Sequence, residues 1–240
     1  MKRKFSIALF LIGFVSSFAS MAQDSRLSLG INGGLSMPSG NFTKTDYSNP
    51  ASGFAGAGYN LGINGWWKAG KHWGINALVS YHAYSIQGLQ NLADGYHNDF
   101  AVDSSTISST GNNYSINVLA GPYYSLPLAK RLSLDGRILA GMTNAHLAGY
   151  NVYLEDNTDA SFGQKTASAT SFATQAGLAL RYQLTKQWAL ALNGDYFYSR
   201  PDFTISNTNR ANNAGRLISS YNEPITAMNI NLTLAYTMIH

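Results

Sequence analysis

The dominant feature of this chain is an alternation of apolar and polar side chains with a period of two, which recurs in eight stretches. Successive side chains of a β-strand point to opposite faces, so each stretch predicts a strand with one apolar and one polar face. The stretches cover about residues 27–37, 57–68, 73–82, 114–126, 132–143, 171–184, 188–199 and 228–238. A few large residues fall on the polar face and are expected to fill a narrow lumen: Trp66, Leu119, Tyr123, Leu139 and Phe197.

The connections between these stretches alternate between long and short. Tight turns are predicted near residues 69–71, 127–130 and 185–187. Four longer connections, at about residues 38–54, 87–112, 148–168 and 200–222, are rich in polar residues and glycine, and are predicted to lack regular structure. This regular difference in length is typical of strands that cross a bacterial outer membrane, with short turns on one side and long loops on the other. We therefore predict an all-β fold, an eight-stranded antiparallel transmembrane β-barrel with up-and-down topology.

The aromatic residues indicate which face of the barrel meets lipid. A soluble lipocalin-like barrel also has eight strands, but its apolar face lines a ligand cavity. Here the apolar-face aromatics form one ring at the short-turn ends (Trp67, Trp73, Tyr124, Tyr182, Trp188 and Tyr236) and one at the long-loop ends (Tyr59, Tyr81, Tyr114, Phe172, Tyr196 and Tyr198). Their spacing corresponds to about 20–25 Å of height on tilted strands, close to the ~25 Å lipid band between aromatic girdles. Two matching rings favour the membrane barrel.

The first residues predict a secretory signal peptide over residues 1–22, followed by a barrel domain over residues 23–240. Lys2, Arg3 and Lys4 precede a short apolar core, and Ser20-Met21-Ala22 has the small-x-small pattern of a cleavage site. The apolar core is much shorter than the ~20 residues that a spanning helix needs. Because the strand number is even, both termini are expected in the periplasm and the long loops outside the cell.

The composition agrees with a membrane barrel and excludes several other classes. Charged residues make up 12% of the chain, about half the usual share of a soluble protein, yet the mean hydropathy of −0.12 does not suit a helical membrane protein. Without the three leader cations the formal charge falls from +4 to +1, so no basic surface for nucleic acid is predicted. There is no cysteine, and no cofactor or metal site is expected.

Four charged residues fall on the polar, lumen-facing side of the predicted strands: Asp135, Arg137, Arg181 and Asp195. The other residues of this face are mostly small, as the narrow interior of an eight-stranded barrel requires. A buried charge is costly unless it is paired. The four charges therefore predict either a gated ion path or a structural salt-bridge plug, and the plug is the favoured interpretation.

One outward-facing histidine is the strongest candidate for catalysis. His146 lies at the loop end of the fifth stretch, with Asn144 on the same face and Thr170 as a predicted neighbour. A nucleophile and base need a third group that orients the base, and no carboxylate is evident nearby. We interpret His146 as an interfacial residue, and we expect no enzymatic activity.

The last strand carries apolar residues at every second position, Leu232, Leu234, Tyr236 and Met238. In this feature and in its architecture the chain resembles the small OmpA/OmpX-like outer-membrane β-barrels, including the PorT-like barrels. The resemblance implies contact with outer-membrane lipid and with the barrel-assembly machinery, which reads the last strand; His240 stands where family members usually end in Phe. The resemblance implies the fold and the location rather than an activity, and from the four long loops we expect a structural or surface-interaction role with envelope proteins as candidate partners. The alternatives are a component of an envelope or secretion complex, a narrow channel, and a lipid-modifying enzyme.

Overall fold

Eight long antiparallel strands close into a barrel. The structure is a computed structural model that describes residues 26–49, 52–155, 162–209 and 217–238. The predicted signal peptide and His240 lie outside these residues. Strands are numbered in chain order, and those of the barrel are β1 (Arg26–Ser39), β2 (Ala55–Lys68), β3 (Trp73–Ile86), β5 (Asn113–Ala129), β6 (Leu132–Leu147), β9 (Ala167–Gln183), β10 (Trp188–Ser199) and β13 (Ile225–Met238).

The barrel order is β1-β13-β10-β9-β6-β5-β3-β2, with β2 paired back to β1. Each barrel strand therefore pairs with the barrel strand that follows it in the chain, and the last strand, β13, closes the ring by pairing with β1. The predicted fold class, an eight-stranded up-and-down antiparallel barrel, is confirmed. Closure matters physically because it leaves no barrel strand with unpaired backbone groups facing lipid.

The two faces of the barrel strands have the polarity that the alternation predicts. The outward apolar side chains are exposed on the isolated barrel, for example Ile138 with 67% of its surface accessible and Leu192 with 55%. The inward face is buried and largely polar. The five large residues assigned to the polar face are all buried inside the barrel, together with Leu78: Trp66, Leu119, Tyr123, Leu139 and Phe197.

The alternation reverses at the loop ends of β6 and β9. Outward side chains there become polar, with Asn144 opposite Thr170 and His146 opposite Ser168 in the strand register. Inward side chains become apolar and buried: Ala145, Leu147, Ala167 and Ala169. Both strands therefore extend beyond their predicted ends, residue 143 in β6 and residue 171 in β9. These strand ends were missed because the alternation keeps its period of two, while the outward residues become polar and the inward residues become apolar.

The long connections are more ordered than the sequence suggested. They carry a 3-10 helix (Gly40–Thr43), one α-helix, α1 (Leu89–Phe100), and five strands: β4 (Ser105–Ser109), β7 (Tyr150–Leu154), β8 (Phe162–Gln164), β11 (Asp202–Asn209) and β12 (Leu217–Asn222). The five strands form a second sheet in the order β12-β11-β8-β7-β4. We call this sheet, α1, the 3-10 helix and the residues that connect them to one another and to the barrel strands the cap. Within the described residues, no helix has the length and apolar character required to span a membrane.

Candidate functional site: the lumen and the cap

A two-point ion pair crosses the lumen between β6 and β10. Arg137 donates from Nε to Asp195 Oδ1 at 2.9 Å and from Nη2 to Asp195 Oδ2 at 2.7 Å. Gly177 of β9 lies in register with both residues. The ion pair thus passes over β9 at a glycine, where no side chain lies in its way. Both ionic side chains are almost completely buried.

Asparagine side chains use the remaining donor capacity of Arg137. Its Nη1 donates to Asn64 Oδ1 at 3.1 Å and to Asn76 Oδ1 at 3.2 Å. Asn64 in turn donates to Asn32 Oδ1 at 2.7 Å. We call Arg137, Asp195, Asn32, Asn64 and Asn76 the lumen network. Because it joins side chains of β1, β2, β3, β6 and β10, it spans the lumen from one wall to the other.

The other two predicted lumen charges form a second ion pair nearer the short turns. Arg181 Nε lies 2.8 Å from Asp135 Oδ2, although its N–H does not point at that oxygen, so this is an ion pair without a linear hydrogen bond. Asp135 Oδ1 accepts hydrogen bonds from Ser125 at 2.6 Å and from Ser133 at 3.2 Å. The guanidinium of Arg181 lies 4.9 Å from the ring centre of Trp66, a cation–π contact.

An apolar layer lies on the loop side of the lumen network. Leu139 and Phe197 follow Arg137 and Asp195 by two residues on the same strands, and both are completely buried. They belong to one buried cluster with Leu78 and Leu119. Phe197 contacts the imidazole of His82 edge to face, with ring centres 5.2 Å apart. Buried apolar side chains therefore lie immediately above the buried charges of the lumen.

The cap continues this packing above the barrel mouth. Phe203 and Ile205 of β11 are buried in the same cluster as Phe42 of the 3-10 helix and Tyr84 of β3. The rings of Phe42 and Tyr84 meet edge to face at 5.2 Å. The alternation of Phe203 and Ile205 with polar neighbours was a sequence signal for this strand. It was missed because the surrounding connection is polar.

The predicted girdle aromatics all lie on the outward face of the barrel, where they are exposed or half-exposed. Several contact one another across neighbouring strands. At the short-turn end Trp73 meets Tyr124 at 4.8 Å and Trp188 meets Tyr236 at 5.0 Å. At the loop end a row of ring contacts joins Tyr59, Tyr81, Tyr114 and His146, and the remaining aromatics are Trp67, Phe172, Tyr182, Tyr196 and Tyr198.

The structure changes the surroundings predicted for His146. Its Nδ1 lies 2.8 Å from Ser168 Oγ, and its ring stacks on Tyr114 at 4.5 Å. Thr170 instead accepts a hydrogen bond from Asn144 at 2.9 Å. Ser168 was missed because it lies at the start of β9, outside the predicted strand. No carboxylate is hydrogen-bonded to His146 among the described residues, and no cluster of three metal-binding side chains occurs there.

The cap contains one buried acid that no pattern in the sequence singles out. Glu223 lies between β12 and β13 and is completely buried, and neither carboxylate oxygen has a hydrogen-bond partner within the described part of the chain. Its backbone N–H donates to Pro201 O at 3.1 Å. Burial raises the pKa of the Glu223 carboxyl from 4.5 to about 8. This acid is therefore largely uncharged at neutral pH.

A closed barrel with an apolar exterior, a buried polar lumen and a loop-side cap defines a small outer-membrane β-barrel protein. The model of the family described as outer membrane protein beta-barrel domain matches residues 6–237, and the chain belongs to this family. The predicted resemblance is confirmed, and membership assigns the chain to the outer membrane. No curated protein sequence matches the chain.

Solved outer-membrane proteins resemble this chain at low sequence identity, and the first of the three below has a TM-score high enough to show the fold. A major outer membrane protein from Thermus thermophilus is 13% identical over 90% of this chain and 100% of its own, with a TM-score of 0.57. OprG from Pseudomonas aeruginosa is 13% identical over 89% of this chain and 96% of its own, with a TM-score of 0.46. Ail of Yersinia pestis is 13% identical over 89% and 97%, with a TM-score of 0.40. These likenesses concern the fold alone.

Proposed function

We propose that this chain is a structural, surface-interaction barrel whose lumen is closed by its own side chains and whose cap faces the exterior. The observation that best supports a closed lumen is the lumen network, which spans the barrel directly below a layer of apolar side chains. Arg137 and Asp195 neutralise each other, and Arg137 also donates to the amide oxygens of Asn64 and Asn76. They leave no free charge to attract a permeating ion at this level.

The apolar layer supports closure independently of the ion pair. A permeating ion keeps or replaces its hydration shell, and leucine and phenylalanine side chains offer it neither water nor ligands. Leu139 and Phe197 have no accessible surface. The polar side chain in register with both of them, Gln175, is buried. Gating would therefore require both the charged and the apolar groups to move.

Bilayer recording tests closure directly. The purified full-length protein in planar bilayers is expected to show no stable conductance above the lipid baseline. A variant that combines Arg137→Ala and Asp195→Ala with Leu139→Ala and Phe197→Ala serves as the control, because it removes both barriers and should conduct. Stable single-channel steps from the wild-type protein would refute the closed lumen and favour the narrow channel.

Cysteine labelling tests the orientation of the cap. The chain has no native cysteine, so a maleimide reacts only with the cysteine that is introduced. We expect Gln90→Cys, on the exposed side of α1, to react with a membrane-impermeant maleimide on intact cells. Lys186→Cys, in a short turn, should react only after the outer membrane is permeabilised. The opposite pattern would place the termini outside the cell and the cap in the periplasm.

One contact favours a second candidate function, lipid hydrolysis at the outer leaflet. Ser168 and His146 form a serine–histidine pair on the outward surface, 2.8 Å apart. We propose instead that the pair binds lipid headgroups, since no acid orients the imidazole within the described residues. The test compares the lipid composition of cells that express the wild type or Ser168→Ala. An altered lipid that disappears only in the variant would support the enzyme.

A further inference from the structure

A cavity of about 380 Å³ lies in the cap, near the lower end of the ~300–1,000 Å³ range of small-molecule sites. It is lined by loop residues before β2, by α1, and by the loop-side ends of β5 and β6. Strands β7, β8 and β11 contribute the remaining wall. The cavity is therefore built only when residues of all four long connections meet. It is separate from the lumen network.

The lining combines apolar contact area with uncharged polar groups. No charged side chain belongs to the lining among the described residues. Leu89, Leu92 and Ile205 offer apolar surface, whereas the side-chain amides of Asn113 and Gln164 offer polar groups. An amide carries both a donor and an acceptor, so it suits a partner that also does both, such as a hydroxyl group.

Three tyrosines give the cavity an aromatic wall. The rings of Tyr47 and Tyr96 meet edge to face with centres 5.1 Å apart, and the hydroxyl oxygens of Tyr96 and Tyr150 lie 3.2 Å apart. The Tyr47 hydroxyl donates to Asp99 at 2.5 Å. Asp99, which is not a lining residue, is thus bound by the hydroxyl of a tyrosine that is. Burial and the contact with Asp99 raise the pKa of Tyr47, which keeps its hydroxyl protonated.

The positions of these groups are fixed by tight packing. The ring of Tyr47 lies against the backbone of Gly95, where an added Cβ would fall 2.2 Å from the ring. Phe54, another lining residue, has a φ of 50°, a conformation that bulky residues rarely adopt. Strain of this kind persists only where the surrounding structure enforces it, and it is concentrated at functional sites. The cavity is therefore a formed structure rather than a gap between loose loops.

One lining group has an unmet hydrogen-bonding capacity. Ser52 Oγ is buried and has no hydrogen-bond partner in the described part of the chain. A buried hydroxyl without a partner costs about 1–3 kcal/mol, so a ligand hydroxyl that reached it would recover that loss. This atom adds a polar group to the part of the lining that precedes β2.

We infer that the cap cavity binds a neutral sugar ring. A sugar ring has apolar C–H faces that fit aromatic and leucine side chains, and its rim of hydroxyls both donates and accepts hydrogen bonds. A charged ligand would lose hydration without meeting an opposite charge, and a hydrocarbon would leave Ser52 Oγ without a partner. The inference deepens the proposed function, because it names the ligand class of the outward cap.

Binding by purified protein tests the inference without depending on membrane orientation. The full-length protein is placed in phosphatidylcholine nanodiscs, since many mild detergents carry sugar headgroups themselves. Saturation-transfer NMR and calorimetry are then run with glucose, N-acetylglucosamine and maltose. Glucose 6-phosphate and cyclohexanol are the charged and apolar comparisons. A neutral sugar is expected to bind with a Kd below about 10 mM, more tightly than either comparison compound.

Matched glutamine substitutions locate the site. Gln164→Leu keeps the side-chain size but removes the amide from the cavity, and it should weaken sugar binding by about tenfold, corresponding to one lost hydrogen bond. Gln90→Leu makes the same change on the exposed surface of α1 and should leave the affinity unchanged. Absence of sugar binding, equal binding by both variants, or tighter binding of cyclohexanol or glucose 6-phosphate would overturn the inference. Labelling of Gln90→Cys on cells decides the orientation separately.

Discussion

Gly177 and Asp195 approach each other so closely that no side chain fits between them: a Cβ on Gly177 would lie 1.9 Å from Asp195 Oδ1. Gly177 is the residue of β9 over which Arg137 reaches to meet Asp195. A glycine within a strand usually weakens it, because glycine loses more backbone entropy on folding and has no side chain to pack. Here that cost is offset by a two-point ion pair across three strands.

Replacing Gly177 by alanine should therefore damage the barrel through one added methyl group. We expect Gly177→Ala to lower the free energy of unfolding by about 3 kcal/mol, because the methyl displaces Asp195 from Arg137. Gly194→Ala is the control, since a Cβ at Gly194 meets nothing within 4 Å. Urea unfolding in lipid vesicles measures both. Equal stability of the two variants would show that the lumen tolerates a displaced Asp195.

Removing one member of the ion pair should cost more than removing both charges. Arg137→Met leaves Asp195 buried without a partner, which we expect to cost about 3–5 kcal/mol of unfolding free energy. Adding Asp195→Asn removes the stranded charge and should restore part of that loss. The unfolding midpoints of the wild type, both single variants and the double variant measure the coupling. Simply additive losses would mean that the pair contributes no mutual stabilisation.

The reversal of alternation on β6 predicts a sharp change in tolerance for charge. Ile138→Arg places a cation among lipid-facing residues near the middle of the barrel height and should cost about 2–4 kcal/mol. Asn144→Arg lies on the same face six residues further along, beyond the last outward apolar residue of β6, and should cost less than about 1 kcal/mol. Folding equilibria in vesicles compare the two. Equal costs would place the membrane boundary elsewhere.

Alternation alone could predict the faces of the barrel strands, but it could not pair the lumen charges. It assigns Asp135, Arg137 and Asp195 to one face, since a period of two fixes the face of every residue. It does not give the register between strands, and Arg137 meets Asp195 two strands away. The cap escaped prediction for another reason: its strands are short and lie within connections that are polar overall, and they become a sheet only through contacts between separate connections.

The buried Glu223 predicts that the cap loosens as the pH rises. The folded-state pKa of about 8 lies above the ordinary value of 4.5, so the folded state binds the proton more tightly than the unfolded state does. Its stabilising contribution is complete below about pH 4.5 and is lost as the pH rises through about 8. Limited proteolysis of the cap should accelerate by about tenfold between pH 5 and pH 9.

A neutral replacement at Glu223 separates this acid from general alkaline effects. Glu223→Gln cannot ionise and should remove most of the pH dependence while protecting the cap at pH 9. Glu155→Gln, at an exposed position of the cap, is the matched control and should leave the profile unchanged. If both variants keep the wild-type profile, another group controls the loosening.

The five-stranded sheet of the cap also has consequences for the order in which the protein assembles. Its strands come from three separate connections: β4 from the second, β7 and β8 from the third, and β11 and β12 from the fourth. None of the three contributions is a complete sheet. We therefore expect each connection to cross the bilayer as an unfolded chain and the sheet to form only when all three have arrived. The shortness of these strands, which concealed the cap in the sequence, would then keep each connection flexible enough to cross.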